Sequence, residues 1–281
     1  ARVQYEKCPD PAPPLGPEGT SKIRTTVGKF LFKRVYAKAV DPTMLLAIGK
    51  LSTRQSAPRT TELKACDRFL AFAATFLHAR TTFRASDMRL LEHSDASFLS
   101  ESSSRSRGAG FEFLSTKGDP LSAPINGPID VTTTILPGVC TSAHEAEYGA
   151  AFLRGQSAIA SRTTLEELGY PQGPTPLIGD NQTAVGIAKG AKMPKRSKAM
   201  TMRFDWLRQQ AANGIFDAIW APGDTNHADF FTKVHPNQVF LEERRRYVFD
   251  NPDRPADLKG GIRKTTAARF KGGVAGPDGQ T

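Results

Sequence analysis

Apolar residues recur at three- and four-residue spacings over residues 21–77 and in shorter, denser runs from residue 88 onward. That change of period predicts a helical piece followed by a mixed α/β region. In the first part, Asp41-Pro42 places a capping carboxylate before a proline at the first helical position. Met44, Leu45, Ile48 and Leu51 supply the apolar face behind it. Leu63, Phe69, Phe72, Ala73, Phe76 and Leu77 predict a second helix from about residue 61. Residues 88–93 and 110–114 read as strands, and 129–136, with its β-branched side chains, as a third. Ser142-Ala143-His144-Glu145 has the form of a capping box and opens a long helix toward Leu168, which Gly169 and Pro171 end. Then follow a short strand at 175–179, a short helix at 181–189 and an amphipathic helix at 201–213. A strand at 216–221, a turn-rich loop at 222–227 and a helix from Ala228 complete the pattern. Residues 1–20, rich in Pro and Gly, and the basic stretch 251–281 are expected to be disordered. The expected organisation is thus a helical segment at 21–86 and an α/β domain at 87–250.

Charge narrows the choice of partner. Lys and Arg number 38 against 28 acidic residues, a net +10, which favours a polyanion because each phosphate neutralised releases counterions. A solubility charge or a basic tail accounts for the same surplus. No run approaches 18 apolar residues, so no membrane span is expected. The prolines of the first twenty residues leave no apolar core for an export signal. Cys8, Cys66 and Cys140 are odd in number and far apart. They fit neither a disulfide framework nor a zinc site, which points to an intracellular, reducing compartment.

The candidate chemistry lies in four acids at the ends of predicted elements. Asp95 follows the first strand, Glu147 lies in the first turns of the long helix, Asp180 ends the short strand and Asp229 opens the helix after the last strand. Hard divalent ions take oxygen ligands, and two-metal phosphodiester hydrolysis needs several carboxylates around ions roughly 4 Å apart. Taken singly, Asp95 and Asp180 fit turn or cap roles equally well, and Asp229 a helix-dipole role. Glu145 and Glu147 are two apart and face different ways on a helix. Glu145 therefore serves the capping box and Glu147 is the catalytic candidate.

The local words carry more. Ser94-Asp95-Ala96-Ser97-Phe98, Glu145-Ala146-Glu147-Tyr148, Asp180-Asn181-Gln182-Thr183-Ala184 and Ala228-Asp229-Phe230-Phe231-Thr232-Lys233 occur in this order. They resemble the active-site blocks of the ribonuclease H domain in copia-type retrotransposons, approximately S-D-A-D-W, E-A-E-Y, D-N-Q-S-A and A-D-x-F-T-K. Lys195-Arg196-Ser197-Lys198 and Arg203-Phe204 are similar to the family's S-R-T-K-H-I-D-I-R-Y-H stretch. Val27-Gly28, Phe30-Leu31-Phe32, Asp41-Pro42 and Leu63-Lys64-Ala65 look like the segment after the polymerase palm, the thumb and connection of the reverse transcriptase. No Asp-Asp pair occurs, so the polymerase metal motif is absent and no polymerase activity is expected of the chain.

The resemblance implies a ribonuclease H-like five-stranded mixed sheet flanked by helices, preceded by the small helical segment. It implies two Mg²⁺ (or Mn²⁺) ions on Asp95, Glu147, Asp180 and Asp229, and cleavage of the RNA strand of an RNA–DNA hybrid. His227, in the loop before Asp229, is the candidate proton shuttle, since its pKa lies near working pH; a solvent-exposed loop histidine is the plainer reading. Lys189, Lys192, Lys195, Arg196 and Lys198 form the candidate phosphate-binding patch, with a solvated charged loop as its alternative. Several family positions differ. Ser97 and Phe98 replace Asp and Trp, Ala199 and Thr201 replace His and Asp, and residues 114–142 lack the W-x-S-K-x-Q pattern. Such drift around intact ligands fits a divergent element, a decaying copy, or a host protein using the fold as a non-catalytic nucleic-acid- or protein-binding scaffold.

Overall fold

Helices precede strands in the computed structural model, which describes residues 12–32, 37–38, 40–190 and 201–249. Helix α1 (Pro17–Val27) starts inside the stretch whose Pro and Gly content predicts disorder. Proline costs nothing at the start of a helix, where its missing N–H has no partner to lose. The chain before it is held by the Leu15 amide, which donates to Pro58 O at 3.0 Å. A π-helical turn (Gly28–Phe32) and a 3₁₀ turn (Pro42–Met44) lead to α2 (Leu45–Arg54) and α3 (Thr60–Thr75). The Asp41 cap forms as its sequence signal predicts, with Oδ1 accepting from Thr43 N at 3.1 Å.

Strands β1 (Arg89–Glu101), β2 (Arg105–Ser115) and β3 (Pro128–Ile135) make an antiparallel meander. Helix α4 (Ala143–Glu167) crosses to β4 (Thr175–Gly179), which lies parallel to β1. Helices α5 (Gln182–Ala188) and α6 (Thr201–Ala212) lead to β5 (Phe216–Trp220), parallel to β4. The five-stranded mixed sheet has the order β3-β2-β1-β4-β5 and is flanked by helices, the ribonuclease H-like architecture that the motif words implied. Two boundaries differ from the sequence expectation. Strand β1 runs on to Glu101, so Asp95 lies within it rather than after it; Ser94 and Asp95 are buried by neighbouring layers, which residue polarity does not foretell. The helix expected from Ala228 is a 3₁₀ turn (Asp229–Phe231), and α7 (Asn237–Arg244) begins only after Pro236. Proline has no amide for a continuing helix, which is why the two pieces separate there.

The sheet buries both faces. On one, Leu91, Phe111, Phe113 and Val131 pack against Ile23, Ile48 and Phe69 of the helical segment and against Phe231 and Tyr247. On the other, Leu90 and Leu177 meet Tyr148, Ala158, Phe204 and Leu207. The helical segment and the sheet therefore share one core. A buried ion pair adds to the seam: Arg244 Nη2 donates to Asp41 Oδ2 at 2.7 Å, and the guanidinium lies 4.3 Å from the Phe76 ring centroid. No described helix is long and apolar enough to cross a membrane. Cys66 and Cys140 are free and buried. Cys8 and the stretch 251–281 lie outside the described residues.

Candidate metal centre

The register of β1 against β4 brings the first and third acids to one level. Glu92 pairs with Leu177 and His93 with Ile178, so the same offset carries Asp95 to the height of Asp180, just past the end of β4. Glu147 arrives from α4. Ser142 caps that helix by accepting from Glu145 N at 3.2 Å. Glu145 reaches back to Thr141, whose amide and hydroxyl both donate to Oε2 at 2.7 and 2.8 Å. The reciprocal bond of the predicted capping box thus lands one residue earlier than Ser142, and Glu145 serves the helix start as expected.

Close seating of α4 on the sheet comes from glycine. A Cβ on Gly108 would stand 3.1 Å from Ala150 Cβ, and one on Gly110 only 2.1 Å from Arg154 Cδ. Arg154 fills the space that Gly110 leaves. It pairs with buried Glu92 through two bonds of 2.7 and 2.8 Å, reaches Asp130 at 2.8 Å, and lies 3.4 Å from Glu112. Glu92 and Glu112 are cross-strand neighbours with no exposed surface, so the fixed cation between them sets how α4 sits.

Oxygen atoms of Asp95, Glu147 and Asp180 lie within 4.8 Å of one another. Burial pushes the Asp95 carboxyl up to about 7, the charges of Asp229 and Asp180 add to the rise, and the Thr232 hydroxyl bonded to it opposes. Burial, then the charges of Asp95 and Asp180, push Glu147 up to about 10. Asp180 is raised by burial and then by Asp229. These rises record negative charge crowded into a half-dry space, which a divalent cation would relieve. An all-oxygen donor set fits a hard cation and disfavours softer metals.

Asp229 stands beside the trio rather than within it. Its charge bears on Asp95 and Asp180, while its own Oδ1 accepts from the Lys233 ammonium one helical turn on. His227 packs among rings. Its ring centroid lies 4.5 Å from that of His93 and 6.0 Å from those of Phe111 and Phe113, with Nδ1 buried and unpartnered. Burial there, helped by the charge of Arg246, lowers its pKa to about 4. It is a packed, neutral ring at neutral pH instead of a solvent-exposed loop histidine. Lys189 is exposed and lies 3.4 Å from Asp217, while Lys192, Lys195, Arg196 and Lys198 fall outside the described residues.

Thr232 and Lys233 match letters of the fourth word, and their supporting roles, like that of Trp220, were not read from the sequence. Thr232 holds Asp95, Lys233 holds Asp229, and Trp220 Nε1 donates to Asp180 O at 2.9 Å. Asn226 is buried and donates to Ser94 O at 2.9 Å, tying the loop before Asp229 to β1. A Cβ on Gly223 would come within 3.2 Å of Asp180 Oδ2.

No protein-family model matches the chain. It is 23% identical over 239 residues to the retrovirus-related Pol polyprotein from transposon TNT 1-94 of Nicotiana tabacum. That alignment takes in 85% of this chain and only 17% of the polyprotein. Among solved structures, the N-terminal ribonuclease H domain of a Mycobacterium tuberculosis protein aligns with 56% of this chain and 97% of its own length, at 12% identity and TM-score 0.37. Ribonuclease H1 of Halobacterium salinarum NRC-1 aligns with 55% of this chain and 98% of its own, at 16% identity and TM-score 0.33. The prototype foamy virus protease–reverse transcriptase aligns with 57% of this chain and 20% of its own, at 12% identity and TM-score 0.31. Those overlays are loose, and the fold assignment rests on strand order and direction. Sheet order, the placement of the acids and the polyprotein alignment together make this chain a ribonuclease H-like domain related to retrotransposon Pol polyproteins.

Proposed function

We propose that the chain is a divalent-metal-dependent endonuclease of copia-type retroelement origin that cuts the RNA strand of RNA–DNA hybrids. The observation that carries this reading is the convergence of Asp95, Glu147 and Asp180, far apart in sequence, within 4.8 Å. In this reading Asp95, Glu147 and Asp180, with Asp229 at the margin, hold two Mg²⁺ or Mn²⁺ ions. When bound, such ions activate water for attack on a phosphodiester and stabilise the departing oxygen. The chain's own residues do the rest. Thr232 fixes the Asp95 carboxylate, Trp220 and Gly223 fix the main chain and clearance at Asp180, and Lys233 steers Asp229. The basic residues Lys189, Lys192, Lys195, Arg196 and Lys198 contact backbone phosphates of the hybrid. The helices before the sheet, 21–86 in the sequence division, stand as the thumb and connection of a reverse transcriptase whose palm and fingers are not in this chain. A retroelement product of this kind acts in the cytoplasm or nucleus.

The test is cleavage of end-labelled RNA in a hybrid with Mg²⁺ or Mn²⁺. Asp180→Asn should abolish cutting while hybrid binding persists, because the amide keeps the shape and loses the charge that holds a cation. Cutting in excess chelator, or equal cutting by the variant, overturns the assignment. A non-catalytic scaffold is the competing reading, favoured by the Lys233 ammonium that already occupies Asp229. It requires hybrid affinity no better than that for duplex DNA or duplex RNA.

A further inference from the structure

Thr232 and Lys233 are consecutive, and each engages a different aspartate of the cluster. The Thr232 hydroxyl donates to Asp95 Oδ2, and the Lys233 ammonium donates to Asp229 Oδ1. Thr232 is buried, and its hydroxyl also lies 3.0 Å from Asp229 O, so the dipeptide spans from β1 to the 3₁₀ turn. An ion pair four residues apart is ordinarily a weak surface feature. The surroundings of this one are different. The Asp229 side chain is only 23% exposed, and the Lys233 charge acts on Asp95, Glu147 and Asp180 as well as on its partner. A single ammonium thus sits in the field of all four acids, bonded to the one that stands outside the 4.8 Å trio.

We propose that Lys233 is a tethered cation that holds the carboxylate a second metal ion would need. The chain by itself then takes one divalent ion, on Asp95, Glu147 and Asp180, and admits another only when the ammonium leaves Asp229. The inference rests on the metal-centre reading and deepens it, since the two ions of the proposed nuclease load unequally and a side chain of the chain itself sets the difference. A divalent ion arriving while the ammonium stays would set a double and a single positive charge against one carboxylate, which their repulsion opposes. Lysine suits the part because its charge is a compact point on a flexible four-carbon stem, able to leave one oxygen without moving the backbone. The Lys233 side chain is half-exposed, so the ammonium can turn outward to water or to a phosphate.

Isothermal titration calorimetry of Mn²⁺ into the full chain, without nucleic acid, counts the ions. The wild type should take one, with a second entering only at much higher Mn²⁺. Lys233→Met should take two, the second bound at least about tenfold more tightly than by wild type, because a charge beside a divalent ion is gone. Lys117→Met is the control, an equal loss of charge at an exposed position past the end of β2 remote from Asp95, and should match the wild type. Two ions of like affinity on the wild type overturn the role of Lys233, as does a second ion no tighter in Lys233→Met than in wild type. If Lys233→Met does not melt cooperatively, Lys233→Gln carries the same count. Cleavage assays separate this inference from the nuclease reading. Unequal loading that the variant relieves, with no cutting of hybrid by either protein, keeps the lysine's role and removes the nuclease. A wild type that cuts hybrid yet loads both ions alike does the reverse, and one that binds no Mn²⁺ overturns both.

Discussion

Asp95 is 1% exposed in the middle of a strand, and its carboxyl titrates at about 7 because burial opposes its charge. Its ordinary value is about 3.9, so the folded chain holds this proton more tightly than the unfolded chain does. Stability drawn from that proton is present below about pH 4 and is lost as pH rises through about 7. Metal-free wild type should therefore lose melting temperature relative to Asp95→Asn between pH 5 and pH 8. Asp95→Asn should melt higher than wild type at pH 8 while losing cleavage, a trade between stability and function of a familiar kind. Melting curves in chelator at several pH values check this, and superimposable profiles for the two proteins would count against it. Added Mn²⁺ should raise the wild-type midpoint at pH 8 more than that of the variant, since a ligand that binds only the folded state stabilises it.

Helix α4 delivers Glu147, and its height above the sheet is set by two glycines of β2 and the arginine between buried acids. Gly110→Ala places a methyl group where Arg154 Cδ and Nε now lie, 2.1 Å away. Overpacking of this kind costs typically 1–3 kcal/mol. The helix should also shift, so weaker Mn²⁺ binding should accompany the lower stability. A variant that loses stability yet binds Mn²⁺ as wild type does would separate α4 seating from Glu147 placement. The Ser142 cap and the end at Gly169 are local features and were legible in the residues. The seat was not, because what a strand glycine makes room for lies on another element, far along the chain. Likewise β1 reaches Glu101 because sheet pairing and coverage override the polarity of Ser94, Asp95 and Ser97.

The helical segment and the sheet share one core, and Asp41 with Arg244 closes it across 203 residues of sequence. Breaking a buried pair by removing one partner costs about 3–5 kcal/mol because the other charge stays buried. Arg244→Met should therefore lower stability by that order, and urea unfolding monitored by circular dichroism measures it. Asp41→Asn combined with Arg244→Met should recover part of the loss, since the stranded carboxylate is gone. Full loss in the double variant would mean that the pair contributes little beyond the packing of Arg244 on Phe72 and Phe76.

What the sequence determined by itself is local. Caps, periods and the four acidic words depend on neighbours within a few residues; they placed the candidate acids and most of the order of elements, while the fold class came from the family resemblance that the words carry. Tertiary structure decided where side chains point and which are dry. It turned His227 into an aromatic cage with His93 and Phe111, left Asp229 held by Lys233 beside the trio, and put Thr232 and Trp220 on Asp95 and Asp180. Those outcomes come from packing between elements far apart in the chain, where each side chain's orientation follows from the shape of what covers it, and no local pattern encodes that shape.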